Sequence, residues 1–501
     1  MFDTFWSALL GMLMPSNLVW LVAGVLIGLI MGAIPGLTSI MAMALIIPFT
    51  SALEPTQAIP MLLGAYNAGI FGGSLSAIMI GTPGTPAAGA TVADGYGLAK
   101  KGKAGKAVKA ALFSSVFGCL FSTILLCFVT EPISKIALKI GPAEYTVLML
   151  FSLTIIASAA GRSLIKGLIG GSFGLLFGMV GMDKGFAVPR FDFGINKLTS
   201  GIDLVIMMIG LLAMAEIFKQ TEDVRKSADL PQLPPPACKD DDRFTLEDLK
   251  NTWKQWVRSS ALGAGIGALP GLGASLACYL SYDIGKKLSK HPEEFGSGSV
   301  EGIACAESAN NAVCGSNMIP LLSLGVPGDA GAAILMGAFI VQGLTPGPMV
   351  FFESPGTVKS IYAGLIIVNI ILAIVVLLTW RGFRKICSAP ASIIFPCVCA
   401  FCAVGVYALN ASLVDIWVML FFSLIAYVFS KIKIPLVTVI IGFILSPLFE
   451  NYSRRALVLA DGNPATFFSS PICIALWIIT FIAVFLIVRG KMKDKALQDG
   501  M

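Results

Sequence analysis

Apolar runs long enough to cross a bilayer recur through this chain, and two of them break at almost the same six residues. Gly32-Ala33-Ile34-Pro35-Gly36-Leu37 is answered 235 residues later by Gly267-Ala268-Leu269-Pro270-Gly271-Leu272. In hydrocarbon every backbone polar group needs an internal partner, so such breaks are tolerated only where they are buried in protein or line a wet cavity. A second pair follows at an offset of 244, Gly81-Thr82-Pro83-Gly84-Thr85 and Gly325-Val326-Pro327-Gly328-Asp329, with Asn67 and Asn311 each sixteen residues before the proline. The nine-residue growth in offset is assigned to the hydrophilic stretch Lys286 to Ser299. Proline and glycine at matching points of two apolar halves are the pattern of a transporter built from repeats, with its site at the broken helices.

Composition sets the class. Hydrophobic residues make up 56% and charged residues 13%, with mean hydropathy +0.85, where soluble domains carry about 25% charged residues. Uncharged or nearly uncharged runs at Leu18 to Ile34, Val108 to Val129, Tyr145 to Ala160, Ala363 to Trp380 and Phe468 to Val488 head a set of roughly a dozen crossings of an approximately 30 Å core. The expected fold is an all-α polytopic membrane protein of two structural repeats with broken or re-entrant helices at the site. Met1 to Met14 lacks a basic leader and a small-residue cleavage site, and reads as a short interfacial helix.

The net charge of +6 does not point to nucleic acid, because the cations sit in short loops beside apolar segments, where they set topology. Of eleven cysteines most lie in apolar runs, including Cys397, Cys399 and Cys402, and read as polarizable packing residues. His291 is the one histidine, which leaves a histidine metal site or a catalytic triad almost nothing to build on. No cofactor is expected.

A hydrophilic connector over 219–258 separates a first membrane repeat, 1–218, from a second, 259–501. It holds Leu233-Pro234-Pro235-Pro236 and Lys239-Asp240-Asp241-Asp242-Arg243, a composition for an extended link. Thr245-Leu246-Glu247-Asp248-Leu249-Lys250 can start an amphipathic helix. The positive-inside rule claims Lys100, Lys101, Lys103, Lys106 and Lys109 for the cytoplasm, and also Arg454-Arg455 and Arg489 to Lys495. One apolar segment separates the last two clusters, so they conflict. Counting spans leaves inverted and parallel repeats both open; the expectation is inverted.

From Asn67 to Ala90 the chain is rich in glycine, serine, threonine and proline and carries no charge. Pro83 and Pro86 interrupt a helix, and Thr82 or Thr85 can cap the one that restarts, leaving free N–H groups and a positive dipole end at membrane depth. That suits a carboxylate; the competing reading is close helix packing through small residues. The second copy is more polar. Asn310, Asn311, Ser316, Asn317 and Ser323 offer oxygens to a hard cation such as Na⁺, and Glu301, Glu307 and Asp329 add carboxylates. Glu301 and Glu307 are expected toward a solvated end, while Asp329 is expected to take a cation or proton.

Gly97-Leu98-Ala99-Lys100-Lys101-Gly102-Lys103-Ala104 nearly matches a phosphate-binding loop but fails at Ala104, which has no hydroxyl for Mg²⁺. It reads as a cationic turn between helices. Energy would then come from an ion gradient.

The stretches Gly72-Gly73-Ser74-Leu75-Ser76-Ala77-Ile78, Thr82-Pro83-Gly84-Thr85-Pro86-Ala87-Ala88, Asp94-Gly95-Tyr96 and Lys101-Gly102-Lys103-Ala104-Gly105 resemble the large membrane subunit of tripartite tricarboxylate transporters. So do Glu301-Gly302, Glu307, Ala309-Asn310-Asn311-Ala312, Ile319-Pro320-Leu321-Leu322, Gly325-Val326-Pro327-Gly328 and Gly343-Leu344-Thr345-Pro346-Gly347-Pro348. The likeness covers nearly the whole chain and departs from the family pattern at Gly81 and Asp329. It implies a multi-pass permease of the bacterial inner membrane that works with a small membrane subunit and a periplasmic solute-binding protein. The implied substrate is a carboxylate such as citrate, carried with Na⁺ or H⁺. No arginine or lysine lies inside the two signature segments to clamp it.

The substrate-binding candidates are therefore Asn67, Ser74, Thr82, Pro83, Gly84 and Thr85 with Asn310, Asn311, Pro327 and Gly328; the ion-coupling candidates are Asn311, Ser323 and Asp329. Two other classes compete with transport. One is a membrane-embedded enzyme using Glu307, Asp329 and Asp94 as acid-base groups; the other is a structural subunit whose glycines only pack helices.

Overall fold

The computed structural model describes residues 2–159, 163–183, 185–223, 242–270, 273–387 and 391–499. The proline-rich run Leu233 to Pro236, Lys239 to Asp241, and Gly271 and Leu272 lie outside the described residues. Among those residues the protein is helical almost throughout. Seven helices are long and apolar enough to cross a membrane, and five shorter apolar ones join them: Ser39–Thr50, Pro142–Ile155, Leu164–Gly178, Ala330–Val341 and Pro471–Phe485. The Phe2–Met12 helix stands where the interfacial helix was expected.

Each half opens with a pair of tightly packed helices. In the first, Pro15–Ala33 starts with proline at its first position and ends where Ile34 turns extended ahead of Pro35. After Ser39–Thr50 the chain enters Pro55–Ile80, buried from Ala58 onward, and Gly81 closes it with φ +71°. The second half runs Leu246–Gly267, Gly273–Leu288 and Val300–Ser316, continued by Met318–Leu324 and closed by Gly325 at φ +70°. Both closures use the left-handed region, where glycine has no Cβ penalty. A Cβ on Gly28 would land on the carbonyl oxygen of Ala65, and one on Gly263 on that of Ala309. These are the same contact in each half, at the offsets of 235 and 244 read from the sequence.

The halves interlock. The 34-residue helix Ala104–Ala137 of the first half crosses the core helix of the second, with Gly118 against Ser308 and Gly315 against Ser122. Pro355–Cys387 of the second half crosses Pro55–Ile80 in return, with Gly364 3.6 Å from Leu63 on the same measure. The two core helices run antiparallel past each other: Asn317 Nδ2 donates to the Tyr66 hydroxyl at 3.3 Å, while Ser74, two turns beyond Tyr66, faces Glu307, well before Asn317. Outside this core, Leu164–Gly178, Leu413–Lys431 and Pro471–Phe485 present an apolar exterior that includes Phe173, Phe421 and Phe481. Such a belt suits lipid.

The connector rejoins the membrane core as a well-formed helix. Thr245 and Asp248 make a capping box at the start of Leu246–Gly267, the helix signalled by Thr245 to Lys250. Lys106 pairs with Asp248 at 2.8 Å, Gly105 N donates to Asp242 Oδ1 at 2.9 Å and Lys109 Nζ to the Asp242 carbonyl at 2.7 Å. The near-match to a phosphate loop is thus a cationic turn that docks the returning chain.

A helix of 34 residues is about 50 Å long at 1.5 Å per residue, more than the hydrocarbon thickness. At its far end Ser134 Oγ donates to the Pro348 carbonyl at 2.8 Å, and Tyr145 donates to the Ala137 carbonyl at 3.2 Å while stacking on Tyr452 at 4.8 Å. Arg454 belongs to this end. It pairs with Asp183 at 2.6 Å and Glu450 at 2.8 Å, and Arg190 pairs with Glu450 at 2.7 Å. Of the cations that the positive-inside rule claims, Arg454 is neutralised by acidic partners and lies at the end of the long helix away from Lys106 and Lys109.

Candidate functional site

A polar seam runs through the buried crossing of the two halves. At its centre is Glu307, which has no solvent exposure. Thr91 donates to its Oε1, Ser115 Oγ to Oε2 at 3.1 Å and Asn311 Nδ2 to Oε2 at 3.3 Å, with Ser74 facing the same carboxylate. Asn311 Nδ2 also reaches Ser115 Oγ at 2.9 Å and the carbonyl of Glu307 at 3.1 Å. The expectation of a solvated end for Glu307 is therefore corrected. Its helix is buried on every side over this stretch, because the first half's long helix covers the face the second half leaves open. Glu301, one and a half turns earlier, is half-buried and accepts from Ser289 Oγ at 2.8 Å.

One turn along the long helix from Ser115, Cys119 Sγ receives two amides, Asn67 Nδ2 at 3.2 Å and Asn369 Nδ2 at 3.1 Å. The Oδ1 atoms of Asn67, Asn311, Asn317 and Asn369, and both amide atoms of Asn310, are buried without a protein partner. Buried polar atoms are nearly always satisfied. A concentration of unsatisfied amide oxygens in one seam therefore marks a place where a ligand, ion or water completes the bonding.

The two breaks lie at the ends of the core helices. Thr82 and Pro83 are exposed, whereas Gly84 and Thr85 are buried, and Thr85 Oγ1 accepts from Ala88 N at 3.4 Å to start the turn leading into Gly89–Lys100. Of the two expected caps it is Thr85 that acts. In the second break Pro327 and Gly328 are buried, and half-buried Asp329 caps Ala330–Val341 by accepting from Ala332 N at 2.9 Å. Asn317 stands beside Asp329 and Tyr66.

The structure brings Ser74, Asn310 and Asn311 to the seam with Asn67, and sets the two breaks at its borders, Thr85 against Gly73 and Gly328 against Asn317. Asn311 and Asp329 do not share a site: Asn311 is held at Ser115 and Glu307, Asp329 at Asn317. Ser323 Oγ turns back to the Ile319 carbonyl at 2.6 Å. Asp94, a candidate acid-base group, is fully occupied: its Oδ1 accepts from the backbone of Gly296, Gly298 and Ser299 at 2.8, 2.9 and 2.8 Å, and Oδ2 from the Tyr282 hydroxyl at 2.8 Å. It clasps the longer loop of the second half. Tyr66, Thr91, Ser115, Cys119 and Asn369 were missed, because a hydroxyl or thiol in a helix ordinarily bonds its own backbone. Asn369 alone left a signal, as the one amide in an apolar run.

A buried two-part core with interrupted helices and an unsatisfied polar seam, wrapped in apolar helices, is the architecture of a polytopic membrane protein. The profile of the tripartite tricarboxylate transporter TctA family matches residues 18–441, and the chain belongs to that family. It is 34% identical over 490 residues to a protein of Agrobacterium vitis described as an uncharacterized 52.8 kDa protein in the TAR-I ttuC' 3'region, covering 96% of this chain and 95% of that one. A second Agrobacterium vitis protein, described as uncharacterized in the TAR-II ttuC' 3'region, is 36% identical over 236 residues, 47% of this chain and 98% of its own.

Proposed function

We propose that this chain is the permease subunit of a binding-protein-dependent tripartite transporter that takes up citrate or a related di- or tricarboxylate across the bacterial inner membrane, coupled to Na⁺ or H⁺. The observation that carries the reading is the seam of unsatisfied amide oxygens between two antiparallel core helices, each ending in a glycine-closed, re-capped break. Antiparallel core helices with repeated contacts support inverted repeats. The five lysines between Lys100 and Lys109 support placing their end of the protein in the cytoplasm. A small membrane subunit and a periplasmic solute-binding protein complete the assembly.

The carboxylate belongs at the first break. There the cap is a neutral hydroxyl and Thr82 and Pro83 are open to a ligand, so the N–H groups at the start of the following turn meet the anion with no carboxylate in the cap position. Asn67 and Asn310 lie deeper and suit its passage. At the second break the Asp329 carboxylate already occupies the equivalent position and repels an anion.

Proteoliposomes holding this chain with both partner subunits test the reading. Labelled citrate and other carboxylates should accumulate under an inward Na⁺ or proton gradient, and Asn67→Ala should abolish accumulation while the complex still assembles. Product formation without accumulation would favour an enzyme; unchanged uptake in Asn67→Ala would remove the seam from the pathway.

A further inference from the structure

We infer that Glu307 is the carboxylate of a Na⁺ site built from both halves, with Ser74, Thr91 and Ser115 from the first half and Asn311 beside it in the second. This deepens the proposed function, on which its role in coupling rests; the binding itself stands on geometry alone.

The carboxyl group is fully buried, and its donors Thr91, Ser115 and Asn311, with Ser74 facing it, are all neutral. An ionised carboxylate at membrane depth is costly unless a cation or proton meets it. Neutral donors offset only part of that cost. The residues gathered here bring oxygens for a cation: the two carboxylate oxygens and three hydroxyls, with Asn311 turning its Nδ2 to the carboxylate and its Oδ1 buried without a partner. Oxygen ligands select a hard cation. With a single formal negative charge in the set, the charge balances for a monovalent ion, whereas divalent sites usually gather several carboxylates. The buried thiols of Cys278 and Cys314 feel the Glu307 carboxyl group and supply no positive charge.

The position of Thr91 shows how occupancy could be felt elsewhere. Thr91 sits six residues after Thr85, in the Gly89–Lys100 helix to which the first break leads. Ser115 sits on the long helix that crosses into the other half. A cation pulling Thr91, Ser115 and Glu307 onto one centre fixes that helix against the second half. The helix N-terminus assigned to the carboxylate is then held in place by Na⁺.

The experiment is equilibrium binding of radiolabelled Na⁺ to the purified full-length chain in nanodiscs, with choline as the replacing cation and no carboxylate present. The wild type should bind Na⁺ saturably. Glu307→Gln should lose that binding, and Ser115→Ala and Thr91→Val should each weaken it about tenfold, the loss of roughly 1.4 kcal/mol. Glu301→Gln should bind as the wild type does. If Glu307→Gln fails to fold, the two hydroxyl variants carry the test. Absence of saturable Na⁺ binding by the wild type overturns the inference, as does wild-type affinity in Glu307→Gln or in both hydroxyl variants. A wild type that binds no Na⁺ while still accumulating citrate on a proton gradient sinks this site and leaves the proposed function standing. Na⁺ binding lost in Glu307→Gln, in a complex that moves no carboxylate, upholds the site and sinks the function.

Discussion

The two breaks use one backbone device for different electrostatic ends. Gly81 and Gly325 close their helices with nearly the same φ, and Thr85 and Asp329 restart the chain by accepting from the amide three residues on. The first break leaves Thr82 and Pro83 exposed behind a neutral cap. The second buries Val326, Pro327 and Gly328 and places a carboxylate at the helix start. The same backbone geometry is thus built twice, and the capping side chain differs: a neutral hydroxyl at one break and a carboxyl group at the other. The core helices differ in the same way, the first contributing the neutral Asn67 and Ser74 and the second the carboxyl group of Glu307.

The largest expected effect tests whether the halves are packed alike. Gly28→Ala and Gly263→Ala each drive a methyl onto a carbonyl oxygen of the neighbouring core helix, where neither backbone can yield without opening the pair. Each should cost about 3 kcal/mol, the upper range for overpacking, read as a loss of thermal stability in detergent. Gly265→Ala, with nothing within 4 Å, should be neutral. If one of the first two variants is tolerated, the shared packing of the halves is broken as a comparison.

How much of this was legible follows from where each signal lives. The breaks, the capping box at Thr245 and the cationic turn after Lys100 are local, so spacing and residue type announce them. The placement of Glu307 is not local. A helix buried on every side has no polar face to betray which residues lie deep, and the carboxylate's partners come from residues 74, 91 and 115, far away in the chain. Thr91 and Ser115 are indistinguishable in sequence from Ser122 and Thr130, which bond their own helix carbonyls. The conflict between Arg454-Arg455 and the cluster from Arg489 to Lys495 stayed open for a similar reason: the rule that reads cations as cytoplasmic cannot see that Asp183, 271 residues earlier, neutralises Arg454.

A middle-sized effect separates the caps. Asp329→Ala removes both a cap hydrogen bond and a charge favourable to the helix dipole, and should cost about 2 kcal/mol; Thr85→Ala removes the hydrogen bond alone, at about 1 kcal/mol. Asp329→Asn, which keeps the cap but not the charge, should recover about half of the loss. Chemical or thermal unfolding of the three variants measures the order. Equal losses at Thr85 and Asp329 would erase the electrostatic distinction between the breaks.

The smallest effect concerns an element that only the first half carries. Between Leu164–Gly178 and the helix beginning at Leu204 lies a hairpin, Gly181–Met182 with Pro189–Arg190, whereas in the second half only residues 432–435 separate Leu413–Lys431 from Leu436–Leu459. Asp183 ties the hairpin to Leu436–Leu459: Arg454 donates to it at 2.9 and 2.6 Å, and the amides of Gly185 and Phe186 at 2.7 and 3.0 Å. The Arg454 guanidinium, with the Phe186 amide, holds its carboxyl well below the usual carboxylate range. A carboxyl whose folded pKa is depressed stabilises the fold fully above its unfolded value, about 3.9, and loses that contribution as pH falls through the folded value. Stability should therefore be insensitive to Asp183 ionisation between neutral pH and about pH 5 and should decline only below about 4. Asp183→Asn should lower the melting temperature by a few degrees at neutral pH, and the gap to wild type should narrow below that threshold. Melting curves of both proteins from neutral pH downward make the comparison. A gap that stays constant with pH would mean that the hairpin is held by its backbone turns, and that the two halves differ at this end in length but not in charge.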